Sequence, residues 1–286
     1  MVRLFRSLIF VPGNNPRFLE KAKTLSADIV CFDLEDSVPD SEKKNARNLI
    51  KGALKTRSQY ASEVYVRTNS PTSGKIQDDL KEIVQKGIDG IVIPKVNNAK
   101  ELKKIEKTLA ILEKKQKLQP IGLIPSIESA EGVANTHEIA SASKRILAIV
   151  FGVFDFLNDM GIEYTKQPEG AKFARAKIPI EAKAVGVYAL DAIWQDLKDE
   201  QGLIEDCKIG KSLGYVGKTI IHPDQILIIH KTFHPNKTEL EWAEKVCNTY
   251  EKSTKKGKGA TTVDGKMIDE VHYKRAKALL DLAKIK

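Results

Sequence analysis

Apolar and polar positions along this chain alternate on two periods. Short β-branched runs recur, and longer stretches with apolar residues three and four apart separate them. The first run, Leu8-Ile9-Phe10-Val11, ends at the breaker cluster Pro12-Gly13-Asn14-Asn15-Pro16. A helix-like stretch follows, with Phe18, Ala22 and Leu25 on one face. The second run, from Asp28 to Leu34, is almost continuously apolar, as expected of a strand covered on both faces. Further runs are Val64-Tyr65-Val66, Gly90-Ile91-Val92-Ile93, Ile121-Gly122-Leu123-Ile124 and Leu147-Ala148-Ile149-Val150-Phe151. Val187-Tyr188-Ala189-Leu190 and Lys218-Thr219-Ile220-Ile221 complete the set.

Eight strand candidates, each followed by a helix candidate, predict an α/β fold of the (β/α)8 TIM barrel type. A doubly wound sheet also alternates, but no G-x-G-x-x-G follows any strand here. A helix from about Thr238 to Ser253 and a final segment from Val263 onward predict a C-terminal helical extension. The expected division is a barrel over residues 1–235 and an extension over 236–286.

Composition narrows the function classes. At 42% hydrophobic and 30% charged over 286 residues, the chain has enough apolar material for a sizeable core. No stretch approaches the roughly 18 apolar residues that span a bilayer, so no membrane partner is expected. Met1 to Arg6 runs straight into the first strand without a signal-peptide pattern, which predicts a cytoplasmic protein. Cys31, Cys207 and Cys247 form no C-x-x-C pair and read as reduced thiols. The net charge of +9 hints at an anionic partner. The segment from Lys100 to Lys117 carries seven lysines against three glutamates, but Leu102, Ile105, Leu109 and Leu112 mark it as an outer helix with a solvated face. No aromatic platform accompanies the lysines, so nucleic acid is not expected as a partner.

Barrel active sites lie just past the C-terminal ends of the strands. Those positions here hold Glu35 and Asp36, Arg67 and Asn69, Lys95, Glu128, Asp155, Asp191 and His222, which is an enzyme's pattern. Five histidines without H-E-x-x-H argue against a transition-metal site and for a hard ion on carboxylates. Glu128 and Asp155 end neighbouring strands, so their carboxylates can converge on such an ion, although each alone also suits a salt bridge. His222, before Pro223, either touches substrate or only terminates its strand, and Asp191 is left without a role.

Several segments resemble one family. Arg6 to Gly13, Phe32-Asp33-Leu34-Glu35-Asp36-Ser37-Val38, Val66-Arg67-Thr68-Asn69 and Ile93-Pro94-Lys95 look like citrate lyase beta subunits and malyl-CoA lyases of the HpcH/HpaI aldolase superfamily. So do Ile127 to Gly132, Gly217 to Pro223 and the tail Gly265-Lys266-Met267-Ile268-Asp269. The resemblance runs in order from residue 3 to about 283. It implies a Mg²⁺-dependent barrel, with Mn²⁺ as a substitute, that cleaves or forms a 3-hydroxyacyl-CoA such as citryl-, malyl- or citramalyl-CoA. The products would be an acyl-CoA and a 2-oxo acid.

By motif position, Glu128 and Asp155 would bind the metal and Arg67 the substrate. Glu35 and Asp36 would support them. Lys21 and the turn from Phe10 to Pro16 would hold the CoA end, with His222 and Pro223 near the thioester. Asp269 would be the acid/base, reaching a neighbouring subunit's site in a homotrimer or hexamer. Asp269 also reads as a helix N-cap. The resemblance leaves open a malyl-CoA thioesterase, a malate-synthase-like condensation, a class II pyruvate aldolase without CoA, and a role as one subunit of a citrate lyase complex. The short path from Asp159 to Ala174 points to the citrate lyase beta or stand-alone citramalyl-CoA lyase-like branch. Phe154, just before Asp155, is expected to shape the oxo-acid pocket.

Overall fold

A computed structural model describes residues 4–284. Eight parallel strands close into a barrel in sequence order. They are β1 (Ser7–Pro12), β2 (Ile29–Asp33), β3 (Glu63–Arg67), β4 (Gly90–Ile93), β5 (Gly122–Ile127), β6 (Ala148–Phe151), β7 (Tyr188–Asp191) and β8 (Gly217–Ile220). Each expected apolar run forms a strand, within a few residues at either end.

Strand side chains alternate between faces, so every second residue of β2 and β3 joins one column. Leu8, Ile29, Cys31, Tyr65, Val92, Ile124, Val150 and Leu190 belong to one buried apolar cluster, with Phe10 packed against it. The column Ile29, Cys31, Asp33 thus begins in the core and ends in a carboxylate. In β3, Tyr65 leads in the same way to Arg67. Cross-strand register pairs Cys31 with Tyr65 and Asp33 with Arg67, which puts opposite charges side by side at the upper end of the core.

Helices cover the outside. In Ala99–Gln116, Leu102, Ile105 and Leu109 are buried, and Lys103, Lys104, Lys107, Lys114 and Lys115 are exposed. The lysine-rich segment is therefore the solvated face of an outer helix.

Asp191 gains a structural account. It is fully buried at the end of β7, where Lys218 Nζ lies 3.0 Å away and the Arg175 guanidinium makes two contacts. Asp206 accepts from the same two cations, at 2.5 Å from Lys218 and 2.8 Å from Arg175. Two anions against two cations make a closed network, and a buried charge is tolerated only when paired in this way.

The described chain divides into two compact units, with the boundary between residues 229 and 230, inside the helix Gln225–Phe233. The C-terminal unit is not wholly helical. Besides the helices Lys237–Thr254 and Glu270–Ala283 it holds a hairpin, β9 (Thr261–Val263) and β10 (Lys266–Ile268). The hairpin turns at Asp264 and Gly265, both with positive φ, a conformation that glycine and aspartate adopt most readily. Ala243, Val246, Val263, Ile268 and Ala276 form this unit's own small core.

Candidate functional site

Five carboxylates and two cations meet at the C-terminal ends of β2 to β6. Asp33 closes β2 and is fully buried. Its oxygens accept from Arg67 Nε at 2.6 Å and Nη2 at 2.7 Å, from the backbone N–H groups of Glu35 and Ser37, and from the Ser37 hydroxyl at 2.5 Å. Burial favours the protonated Asp33 carboxyl, yet the Arg67 guanidinium and the hydrogen bonds of the turn outweigh it and hold the carboxyl below its usual range. Arg67 is thus clamped edge-on by a fork-to-fork pair. Its guanidinium also lies 4.3 Å from the centroid of the Phe10 ring.

The turn after β2 carries Glu35 inward and Asp36 outward. Lys43 fixes it by donating its buried ammonium to the carbonyls of Leu34 and Glu35, at 2.7 and 2.6 Å. Glu35 is 5% exposed, and its two oxygens face Arg67 Nη1 at 3.2 Å and Lys95 Nζ at 3.0 Å. Neither contact has hydrogen-bond geometry, so both oxygens are buried without a hydrogen-bond partner. Burial dominates and pushes the Glu35 carboxyl up to about 7 despite the two cations. Lys95 follows β4 in a left-handed conformation, φ 52°, and also reaches Asp36 at 3.1 Å and Asp155 at 3.3 Å. A lysine at positive φ is uncommon and places this ammonium among three carboxylates.

Glu128 follows β5, and Asp155 lies in the first turn of the helix Val153–Asp159 after β6. Strands β5 and β6 pair, with Ile127 opposite Phe151, so the two acids share one edge of the rim. Glu128 is 6% exposed and its Oε2 has no hydrogen-bond partner. Burial, then the like charges of Glu35 and Asp155, push its carboxyl up to about 8. Gly152 makes this placement possible. A Cβ there would lie 2.5 Å from Glu128 Cγ, so only glycine lets the glutamate side chain pass.

These groups open into a cavity of about 420 Å³ bounded by Phe10, Arg67, Glu128, Phe154 and Asp155, a volume suited to a small ligand. The donor set fits a hard divalent cation. Carboxylates outnumber cations, and an unpartnered buried oxygen faces a cavity with acidic neighbours. Among the described residues no three His, Cys, Asp or Glu side chains form a ready-made cage. Mg²⁺ tolerates this, because it keeps waters and substrate oxygens beside one or two carboxylates.

The other expected residues are spread more widely. Pro16 opens the helix Pro16–Lys21, which Asn15 caps and Lys21 ends. His222 is half exposed and lies 3.4 Å from Asp224, and Pro223 follows it; the cavity wall near β8 is made by Thr219 and Ile221 instead. Asp269 caps the helix Glu270–Ala283, accepting from the N–H groups of Val271 and His272, and lies 2.7 Å from His272 Nδ1. That contact first, and the N–H groups with it, hold its carboxyl below the usual range.

Asp33 was missing from the sequence-based site residues. The signal was an acid continuing the inward column of a buried strand, where only a paired charge is stable. Gly152 and the αL conformation of Lys95 depend on contacts between strands, and no local pattern announces them.

The site can now be set beside known proteins. The citrate lyase subunit beta of Leuconostoc mesenteroides subsp. cremoris is 36% identical over 98% of this chain and 94% of its own length. The mitochondrial citramalyl-CoA lyase of Rattus norvegicus is 32% identical over 97% of this chain and 86% of its own. The crystal structure of the protein CitE from Mycobacterium tuberculosis, in complex with magnesium, acetoacetate and coenzyme A, shares 26% identity and the same fold, with a TM-score of 0.82 and 99% of each chain covered. Residues 6–223 match the family described as HpcH/HpaI aldolase/citrate lyase, and with near-complete coverage of these relatives the chain belongs to that family.

Proposed function

We propose that this chain is a Mg²⁺-dependent carbon–carbon lyase that splits a 3-hydroxyacyl-CoA into an acyl-CoA and a 2-oxo acid. The observation that carries the reading is Glu128, a buried carboxylate with an unpartnered oxygen, beside Asp155 and opposite Arg67. Relatives named citrate lyase subunit beta and citramalyl-CoA lyase support it, as does the solved relative that binds magnesium and coenzyme A.

Glu128 and Asp155 would hold the cation, with Mn²⁺ as a substitute. A divalent ion there would supply Lewis acidity toward the oxo acid. The chain's own residues do the rest. In the cleavage direction a site carboxylate takes the proton of the substrate hydroxyl, whose carbon becomes the oxo carbon. The bond to the neighbouring carbon breaks, and its electron pair passes into the thioester enolate. Arg67, locked by Asp33, keeps Nη1 at the Glu35 side to stabilise developing negative charge. Lysine does not reproduce that planar contact. Glu35, Asp36 and Lys95 fix the charge balance around it. A carboxylate then returns a proton to the enolate carbon, and Asp269 takes this role from a neighbouring subunit of a homo-oligomer.

Phe10, Pro16 and Lys21 receive the CoA end, His222 and Pro223 lie toward the thioester, and Phe154 walls the oxo-acid end. The protein acts in the cytoplasm, alone or as a subunit of a citrate lyase complex. The test is to incubate the enzyme with malyl-CoA and citramalyl-CoA and identify the CoA-containing product. Acyl-CoA with stoichiometric oxo acid supports the lyase. Free CoA with intact hydroxy acid identifies a thioesterase instead.

A further inference from the structure

The cavity at the rim has a neighbour within the barrel unit. A second cavity of about 310 Å³ is bounded by residues between Tyr164 and Ala176, by the segment after β7 and by Ile209 and Leu213. Phe151, Val153 and Ile193 border both spaces. Phe154 borders only the first and Tyr164 only the second, and the two rings are stacked with centroids 4.6 Å apart at 29°. One aromatic pair therefore stands between the two cavities.

The loop that carries Tyr164 is tied down. Lys166 Nζ lies 2.6 Å from Asp199 and 3.3 Å from Asp196, and 5.8 Å from the centroid of the Trp194 ring. Trp194 borders the second cavity, is 5% exposed, and its Nε1–H has no partner. The remaining wall is mostly aliphatic, including Ala171, Ala176, Ile209 and Leu213.

We propose that the second cavity is an extension of the substrate site, shut off by the Phe154–Tyr164 stack, and that Tyr164 sets the largest side group a 2-oxo acid can carry. The inference rests on the lyase reading above. Phe154 directly precedes Asp155, and both border the first cavity, so an oxo acid held at the metal pair meets this partition. The space behind it suits a branched aliphatic or aromatic group, because its wall offers dispersion contacts and its cations are already engaged, Lys166 by Asp199, Lys172 by Glu169, and Arg175 by Asp191 and Asp206. With the stack intact the enzyme selects small oxo acids; with Tyr164 trimmed, Phe154 can rotate and the spaces join.

The experiment measures binding of pyruvate and of 4-methyl-2-oxopentanoate to the Mg²⁺-loaded full chain by calorimetry. It then measures condensation of each with acetyl-CoA. In that step the acetyl methyl carbon loses a proton and bonds to the 2-oxo carbon, whose oxygen takes a proton. Tyr164→Ala, and Tyr164→Val as the milder change, are expected to raise the preference for the branched acid over pyruvate by about tenfold or more, the scale at which hydrophobic pockets discriminate. Adding Ala176→Phe to Tyr164→Ala refills the second cavity and is expected to return the ratio to the wild-type value. Pyruvate binding with an unchanged ratio, or a gain that Ala176→Phe leaves in place, overturns the inference alone. If neither acid binds the wild type or the variants with Mg²⁺ bound, the lyase reading falls, and this inference with it.

Discussion

Asp33 and Glu128 are both buried carboxylates, but their surroundings differ. Asp33 accepts two contacts from Arg67 and three more from its own turn, whereas Glu128 keeps an oxygen without a partner. Asp33→Asn leaves Arg67 buried without its counter-charge, and loss of one partner of such a pair costs about 3–5 kcal/mol. A urea titration is expected to show that loss together with much reduced turnover. Gly152→Ala tests the opposite kind of constraint. Its methyl group would collide with Glu128 Cγ, so the fold should survive while metal affinity, read by Mn²⁺ titration, falls at least tenfold. Protonation gives a third prediction. Glu35 and Glu128 are raised from 4.5 to about 7 and about 8, so the folded metal-free protein binds their protons more tightly than the unfolded chain does. Their contribution to stability is fully present below pH 4.5 and is lost as pH rises through about 7 to 8. Urea midpoints in chelator should therefore fall between pH 5.5 and 8.5, and Mg²⁺ should restore them most at the higher pH. A rising midpoint in chelator would contradict the raised values.

At the scale of elements, the strands were legible because each pairs a short apolar run with a breaker or a polar rim residue. The convergence of Glu128 and Asp155 was legible for the same reason, since they follow consecutive strands of a barrel. What stayed hidden depends on contacts between elements. The loop from Gly161 to Ala171 has no period to read, so neither the stacking of Tyr164 on Phe154 nor the Lys166 tether follows from local pattern. The role of Asp191 became visible only when Arg175, Lys218 and Asp206 converged on it or beside it. The C-terminal hairpin was signalled by Asp264-Gly265, a turn sequence the helical reading of that segment passed over. Asp269 carries two readings on one element. Asparagine caps helices as well as aspartate does, so Asp269→Asn should keep the melting temperature within a degree or two while kcat drops at least a hundredfold. Unchanged turnover would leave Asp269 as a cap and nothing more.

At the scale of the molecule, the +9 charge and the acidic rim point in opposite directions. Exposed lysines of outer helices carry much of the positive excess, while the cavity gathers carboxylates. No helix among the described residues is long and apolar enough to cross a membrane. A barrel rim that combines a locked arginine, clustered carboxylates and room for a small ligand suits the lyase proposed above. The most direct test is to present citryl-, malyl- and citramalyl-CoA to the full chain, with Mg²⁺ or with chelator, and follow 2-oxo-acid release. At least one thioester should be cleaved with Mg²⁺, and chelator or Glu128→Gln should reduce the rate at least a thousandfold. A folded, Mg²⁺-saturated protein that releases no oxo acid from any of the three, or one that is equally active in chelator, would contradict the account.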